Sequence, residues 1–207
     1  MKRVIITDIH TPLGLKLLTR FLEQGDEVIG IQSDKENGFK IPKLPVKPRA
    51  LIYWKKSSSL SSRNLVIKCK SIWNSADTAI LLNLLPEREQ TIEELSPVAI
   101  EQVIDTWLKG PLFFIKDFTE YFKKQNKGML SVITCSPRAE KNPFLLGGGL
   151  YACFESILSA LIRANKQGPV NLHGFFIKQL TSELAADYIM KNINEKCYKS
   201  GGRLFHY

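Results

Sequence analysis

Short apolar runs alternate with amphipathic stretches along this chain. Residues 4–7 (VIIT) form an apolar run of strand type. A helical pattern follows over residues 12–24, with Leu15, Leu18, Phe21 and Leu22 on one face. Thr11 suits its N-cap, Pro12 its first position and Gly25 its end. Residues 27–32 read as the second strand. Strand, turn, helix and strand close within about 30 residues, the size of the βαβ unit that opens a dinucleotide-binding sheet. Pro42, Pro45 and Pro48 exclude a helix from residues 33–49 and predict an extended surface connection.

The alternation continues to the end of the chain. Residues 50–54 (ALIYW) are the third strand, and the serine run 57–62 caps a helix that ends near Trp73. Residues 78–83 are the fourth strand. Ser96-Pro97 opens a long helix carrying Ile100, Val103, Ile104, Trp107 and Leu108 at helical spacing. It is expected to kink at Gly110-Pro111 and to continue through Phe114, Phe118 and Phe122 to about Lys127. Strands at 130–134, 170–177 and 203–206 are separated by helices at 150–166 and 181–196. Short apolar strands between helices predict a doubly wound α/β fold: a Rossmann-like parallel sheet with helices on both faces, in a single domain over residues 1–207.

Composition adds few constraints. The chain has 207 residues, 44% hydrophobic and 24% charged, ordinary for a globular protein. Its net charge of +9 permits an anionic partner, but the lysines are dispersed and read first as a solvated surface. Cys69, Cys135, Cys153 and Cys197 form no CxxC pair and no cluster with histidine, so no metal is expected and the thiols read as reduced. The apolar run after Lys2-Arg3 is too short for a signal peptide, and no run of 18 apolar residues is present. The expectation is a cytoplasmic protein without a membrane span.

Six short stretches lie in order on these elements. They are Thr7 to Gly14 (TDIHTPLG), Asn83-Leu84-Leu85-Pro86, Trp107-Leu108-Lys109-Gly110-Pro111, Gly128 to Ser136, Tyr151-Ala152-Cys153-Phe154-Glu155, and Ser200 to Phe205. Together they resemble the short-chain dehydrogenase/reductase family, whose corresponding motifs are TGxxxGxG, NNAG, NLxGP, a strand ending in Ser-Ser, YxxxK and a last strand. The resemblance implies an NAD(P)-dependent oxidoreductase. Its cofactor-binding positions would be Thr7, His10, Leu13, Gly14, Ser33, Lys35 and Asn83, and its catalytic positions Tyr151, Cys135 or Ser136, and Glu155.

The departures fall on the chemistry. Asp8 and Pro12 stand where the family has glycines that admit the cofactor's pyrophosphate. Pro12 has no N–H, and like charges about 5 Å apart at an effective dielectric near 20 repel by roughly 3 kcal/mol. Glu155 replaces the lysine that lowers the pKa of the catalytic phenol, so the Tyr151 pKa should rise. Trp107 replaces an asparagine. The Pro-Gly and lid after the sixth strand are missing, and Gly147-Gly148-Gly149 before Tyr151 reads as a flexible loop over a small pocket or, preferred, as a permissive turn into a helix. Asp34 at the second strand's tip would favour NAD, whereas Ser33 and Lys35 suit a 2′-phosphate.

The preferred expectation is therefore a catalytically impaired relative that binds no cofactor tightly and acts through assembly or partner binding. NAD(H) or NADP(H) is the cofactor if there is one. The first alternative is an NADP(H)-dependent oxidoreductase with Tyr151 as proton donor. The second is a basic nucleotide- or RNA-binding module using Tyr53, Trp54, Lys55 and Lys56. Relatives pair through two long helices. The expected assembly is a homodimer through residues 97–127 and 150–166, with a tetramer through the last strand as the next step. Trp107, Phe114, Phe118, Phe122, Phe154, Leu158, Leu161 and Ile162 would supply its apolar surface.

Overall fold

Apolar runs at β1 (Arg3–Ile6), β2 (Glu27–Ser33), β3 (Ala50–Trp54), β4 (Thr78–Leu84), β5 (Gly128–Cys135), β6 (Val170–Ile177) and β7 (Leu204–His206) assemble into one sheet. Its order is β3-β2-β1-β4-β5-β6-β7, and every neighbouring pair is parallel. The structure is a computed structural model that describes residues 1–33, 46–85, 92–135, 145–177, 181–197 and 202–207. Most of the proline-spaced connection expected after β2 lies outside the described residues.

Helices α1 (Pro12–Glu23) and α6 (Ser182–Asn192) cover one face of the sheet. Helices α2 (Ser59–Ile72), α4 (Gly110–Gln125) and α5 (Leu145–Ala164) cover the other. Thr11, Ser58, Ser96 and Thr181 are side-chain N-caps, each accepting from a backbone N–H three residues on. The chain winds outward from β1 to β3, then crosses back to β4 and winds the other way. The strand order therefore reverses between β1 and β4, and in open α/β sheets ligand crevices lie at the carboxyl ends of strands there.

Several expectations need correction. The irregularity of the long helix falls just before Gly110-Pro111, and the helix continues beyond it as expected. Helix α3 (Pro97–Ile104) runs through a π-helical turn, Asp105–Lys109, directly into α4. The reason lies in the hydrogen bonds. Pro111 has no N–H to offer the Trp107 carbonyl four residues back. The wider turn puts Gly110 N–H on the Asp105 carbonyl, and the Trp107 oxygen accepts from Asn83 Nδ2 at 3.4 Å. The proline is thereby absorbed in the first turn of α4.

Helix α5 begins at Leu145, so Gly147, Gly148 and Gly149 lie within it and form neither a loop nor a turn into it. Burial of Leu150, Tyr151, Phe154 and Leu158 on one helical face outweighs the low helix propensity of the glycines.

Six of the eight apolar side chains expected at a dimer contact are buried inside the chain, while Trp107 and Leu161 are partly buried. Phe114, Phe118, Phe122, Phe154 and Leu158 are fully buried against the sheet, and Ile162 is buried with them. The rows that α5 leaves exposed carry small residues, including Ala152, Ser156 and Ala160. The four residues considered for nucleic acid do not share a face either. Trp54 and Lys56 are buried, while Tyr53 and Lys55 are exposed. Among the described residues, no helix is long and apolar enough to cross a membrane, and no side-chain cluster could hold a metal ion.

Candidate functional site at the strand carboxyl ends

The turn between β1 and α1 sits at the reversal of strand order. Asp8 occupies the first glycine position of the resembled motif and keeps a glycine-like backbone, with φ of 52°. Aspartate is among the few residues that adopt this left-handed conformation readily. Its carboxylate is buried and fully engaged. Lys56 Nζ lies 2.9 Å from Asp8 Oδ1, the Ser33 hydroxyl donates to the same oxygen, and the Thr7 hydroxyl donates to Oδ2 at 3.0 Å. Thr7 also accepts from Leu82 N–H at 2.9 Å, which ties the turn to β4.

This corrects the electrostatic expectation. Asp8 does not project a bare charge toward a ligand; it is neutralised by Lys56. Lys56 follows β3 and continues the inward alternation of Ile52 and Trp54, with its ammonium 5.9 Å from the Trp54 ring centroid. Gly110, at the start of α4, allows that loop to come close. A Cβ there would lie 2.7 Å from the Lys56 carbonyl oxygen. Ser33, at the tip of β2, is spent on Asp8.

The start of α1 is similarly occupied. Thr11 N–H donates to the Asp8 carbonyl, Pro12 has no N–H, and Gly14 N–H donates to the Thr11 hydroxyl at 3.1 Å. Of the donors that a helix N-terminus offers an anion, only Leu13 N–H remains among the described residues. Leu13's side chain is buried in the core, and His10 is partly exposed in the turn. A Cβ at Gly14 would collide with the Asp8 carbonyl, which explains a glycine at that position.

The second group of residues lies farther along the same edge. Trp107 Nε1 donates to the Leu84 carbonyl at 2.9 Å, so the indole fastens the π-helical turn to the end of β4. Asn83 and Thr134 are register partners on β4 and β5 and are fully buried. Asn83 Oδ1 and Thr134 Oγ1 have no hydrogen-bond partner among the described residues. Tyr151 packs edge-on against Phe176, with ring centroids 5.3 Å apart, in the same core layer.

Burial raises the Tyr151 pKa to about 12, with the Glu155 charge adding to the effect. The direction matches the expectation from Glu155, but desolvation is the larger cause. The Glu155 carboxylate reaches His206 Nε2 at 3.7 Å, on β7. Cys135 packs against the core layer beneath α1 and α6, on the opposite face from the Tyr151 layer, and burial raises its thiol pKa to about 12. Asp34, Lys35 and Ser136 lie outside the described residues. Residues 178–180, where a lid would begin, also lie outside them, and the N-cap of α6 follows at Thr181.

The structure thus brings Thr7 and Ser33 together around Asp8, and Asn83 beside Trp107. It places Cys135 on the opposite sheet face from the Tyr151 layer, yet near enough to add to the rise in the Tyr151 pKa. Sequence reasoning missed Lys56 as the partner of Asp8, and it missed Thr134. Both carried a signal: Lys56 shares the parity of Ile52 and Trp54, and Thr134 that of Leu130 and Val132 on the Tyr151 side.

No protein-family model matches this chain, and no curated protein matches it in sequence. Solved structures do match. A 3-ketoacyl-(acyl-carrier-protein) reductase from Brucella melitensis, complexed with NADH, superimposes with a TM-score of 0.80 at 13% identity, covering 99% of this chain and 96% of that one. Serine dehydrogenase from Escherichia coli gives 0.81 at 14% identity, with 99% and 96% covered. An oxidoreductase of the short-chain dehydrogenase/reductase family from Brucella ovis, in complex with a partially ordered NAD, gives 0.78 at 12% identity, with 99% and 98% covered. The chain therefore has the Rossmann-type fold of the short-chain dehydrogenase/reductases. At these identities the likeness establishes the fold.

Proposed function

We propose that this chain is a short-chain dehydrogenase/reductase-like protein that has given up cofactor-dependent catalysis and works by binding other molecules. The observation that carries this reading is the buried Asp8–Lys56–Ser33 network. The residues at the turn do not fit a dinucleotide. Ser33, the last residue of β2, where dinucleotide-binding proteins approach the adenosine ribose, is bonded to Asp8. The helix start retains one backbone donor where a pyrophosphate needs several.

The proton-transfer group supports the same reading. Tyr151 is a neutral phenol with its pKa pushed to about 12 and a carboxylate nearby in place of a cation. A general acid works best with a pKa near the operating pH. The test is an assay with NADPH and NADH against small aldehydes and ketones. The expected result is no turnover above the protein-free rate. Steady turnover abolished by Tyr151→Phe would support the alternative, an NADP(H)-dependent oxidoreductase with Tyr151 as donor. That alternative draws on the retained tyrosine and on the nicotinamide cofactors present in the matched structures.

A further inference from the structure

Away from the strand ends, α2 and α4 enclose a surface groove of about 300 Å³. Arg63, Ile67 and Lys70 line it from α2, and Lys116, Glu120 and Lys124 from α4. These positions repeat at helical intervals, so the groove runs about 10–12 Å along both helices. That length matches roughly two turns of a docked helix.

Arg63, Lys70, Lys116 and Lys124 face only two carboxylates in this groove, Asp117 and Glu120, so its lining is net positive. Helix α2 carries Arg63, Lys68 and Lys70 and no acidic residue. On α4, Lys116 already pairs with Asp117 and Glu120. Among the described residues, no ion pair within 4.0 Å engages Arg63, Lys70 or Lys124. The opposite side of the molecule is different: Lys16 and Arg20 of α1 are paired with Glu183, and Arg20 also with Asp187 of α6. Within the groove, Arg63 and Lys124 act on the Glu120 carboxylate at longer range and, after Lys116, help to lower its pKa, whereas no carboxylate among the described residues is in contact with Lys70. Apolar surface accompanies these cations. Ile67 is 57% exposed and Leu60, two turns earlier on the same stripe, is 66% exposed. Charged rims around exposed aliphatic side chains are characteristic of helix-in-groove recognition.

We infer that the α2–α4 groove docks an acidic, amphipathic helical segment of a partner protein, with carboxylates on Arg63, Lys70 and Lys124 and an aliphatic side chain on Ile67. The inference rests on the non-catalytic reading and names the class of partner. Nucleic acid fits less well. The one aromatic ring lining the groove, Tyr121, is buried, so no ring is offered for base stacking. A membrane surface fits less well because the site is concave.

The test uses the full chain and a fluorescein-labelled, Glu-rich helical peptide of about 14 residues with leucines on one face. Fluorescence anisotropy should show saturable binding that weakens as salt rises. Arg63→Glu with Lys70→Glu should weaken binding at least ~10-fold. Lys191→Glu on α6 reverses one charge elsewhere, half the change of the double variant, and should leave affinity within about twofold. All three sites are exposed, and thermal melts verify that each variant folds. Amide shifts in residues 60–70 should locate the peptide. The inference is overturned if the peptide binds no better than its lysine-for-glutamate counterpart, or if charge reversal in the groove has no effect. Preferential binding of poly(U) RNA or phosphatidylserine vesicles, lost on the same reversal, also overturns it. None of these failures touches the non-catalytic reading, which the cofactor and turnover assays test on a different part of the molecule.

Discussion

Lys56 Nζ and Asp8 Oδ1 lie 2.9 Å apart, with both side chains buried at the carboxyl edge of the sheet. Each would be a costly isolated charge. Removing one partner of a buried pair typically costs about 3–5 kcal/mol, whereas replacing both with neutral groups costs far less. Asp8→Asn, which tolerates the same backbone conformation, and Lys56→Met should each destabilise by about 3 kcal/mol or more. The double variant should lose clearly less than the sum. Urea denaturation of all four proteins measures the coupling. Additive losses would show that the two groups do not depend on each other.

His173 gives a pH dependence with a defined sign. It is fully buried; its Nδ1 accepts from Arg203 N–H at 3.2 Å, and Nε2–H donates to the Cys197 carbonyl. Burial is the main cause lowering its pKa from 6.5 to about 4. The folded protein therefore holds a neutral ring where the unfolded chain binds a proton. Its contribution is complete above pH 6.5 and is lost as pH falls toward 4. The loss is on the order of 3 kcal/mol. Stability curves for wild type and His173→Gln across this range should differ in slope, with the variant flatter. Parallel curves would mean that another group carries the acid sensitivity.

The glycines in α5 predict a gain. A Cβ at Gly148 or Gly149 would meet nothing within 4 Å. Gly→Ala in a helix interior with open space stabilises by roughly 0.5–1 kcal/mol. Gly149→Ala should therefore raise the melting temperature by a few degrees, about 1–4 °C. A drop would indicate that this part of the helix needs the freedom of glycine.

Trp107→Phe removes the indole N–H from the Leu84 carbonyl while keeping an aromatic ring. The expected cost is about 1–3 kcal/mol, for the carbonyl left unsatisfied and the smaller ring. Chemical denaturation measures it. An unchanged midpoint would show that water replaces the indole without loss.

The order of elements was legible because the punctuation was local. Thr11, Pro12 and Gly25 bracket α1, and the apolar runs of β1, β2 and β4 need no distant information. The start of α5 was not legible, because three glycines argue against a helix that only tertiary burial of Leu150 and Phe154 sustains. The site was half legible. Asp8 and Pro12 stand out against the glycine motif, but the partner of Asp8 is set by sheet register. Ser33 pairs with Trp54 across β2 and β3, which brings Lys56 to the turn. The phenylalanines of α4 looked like surplus surface because periodicity marks a face as apolar without saying what covers it.

The proposed loss of catalysis requires the Asp8–Lys56 network and the capped start of α1 to keep a nicotinamide dinucleotide out. Calorimetric titration of the wild-type protein with NADPH and NADH, supported by thermal shift, tests it most directly. A ligand at a hundred times its dissociation constant stabilises by about 2.7 kcal/mol, on the order of 5–10 °C for a chain of this size. The predicted result is no saturable heat and no shift with either cofactor up to about a millimolar, the range of weak, non-specific affinity. Saturable binding at micromolar concentrations, with the matching rise in melting temperature, would contradict it.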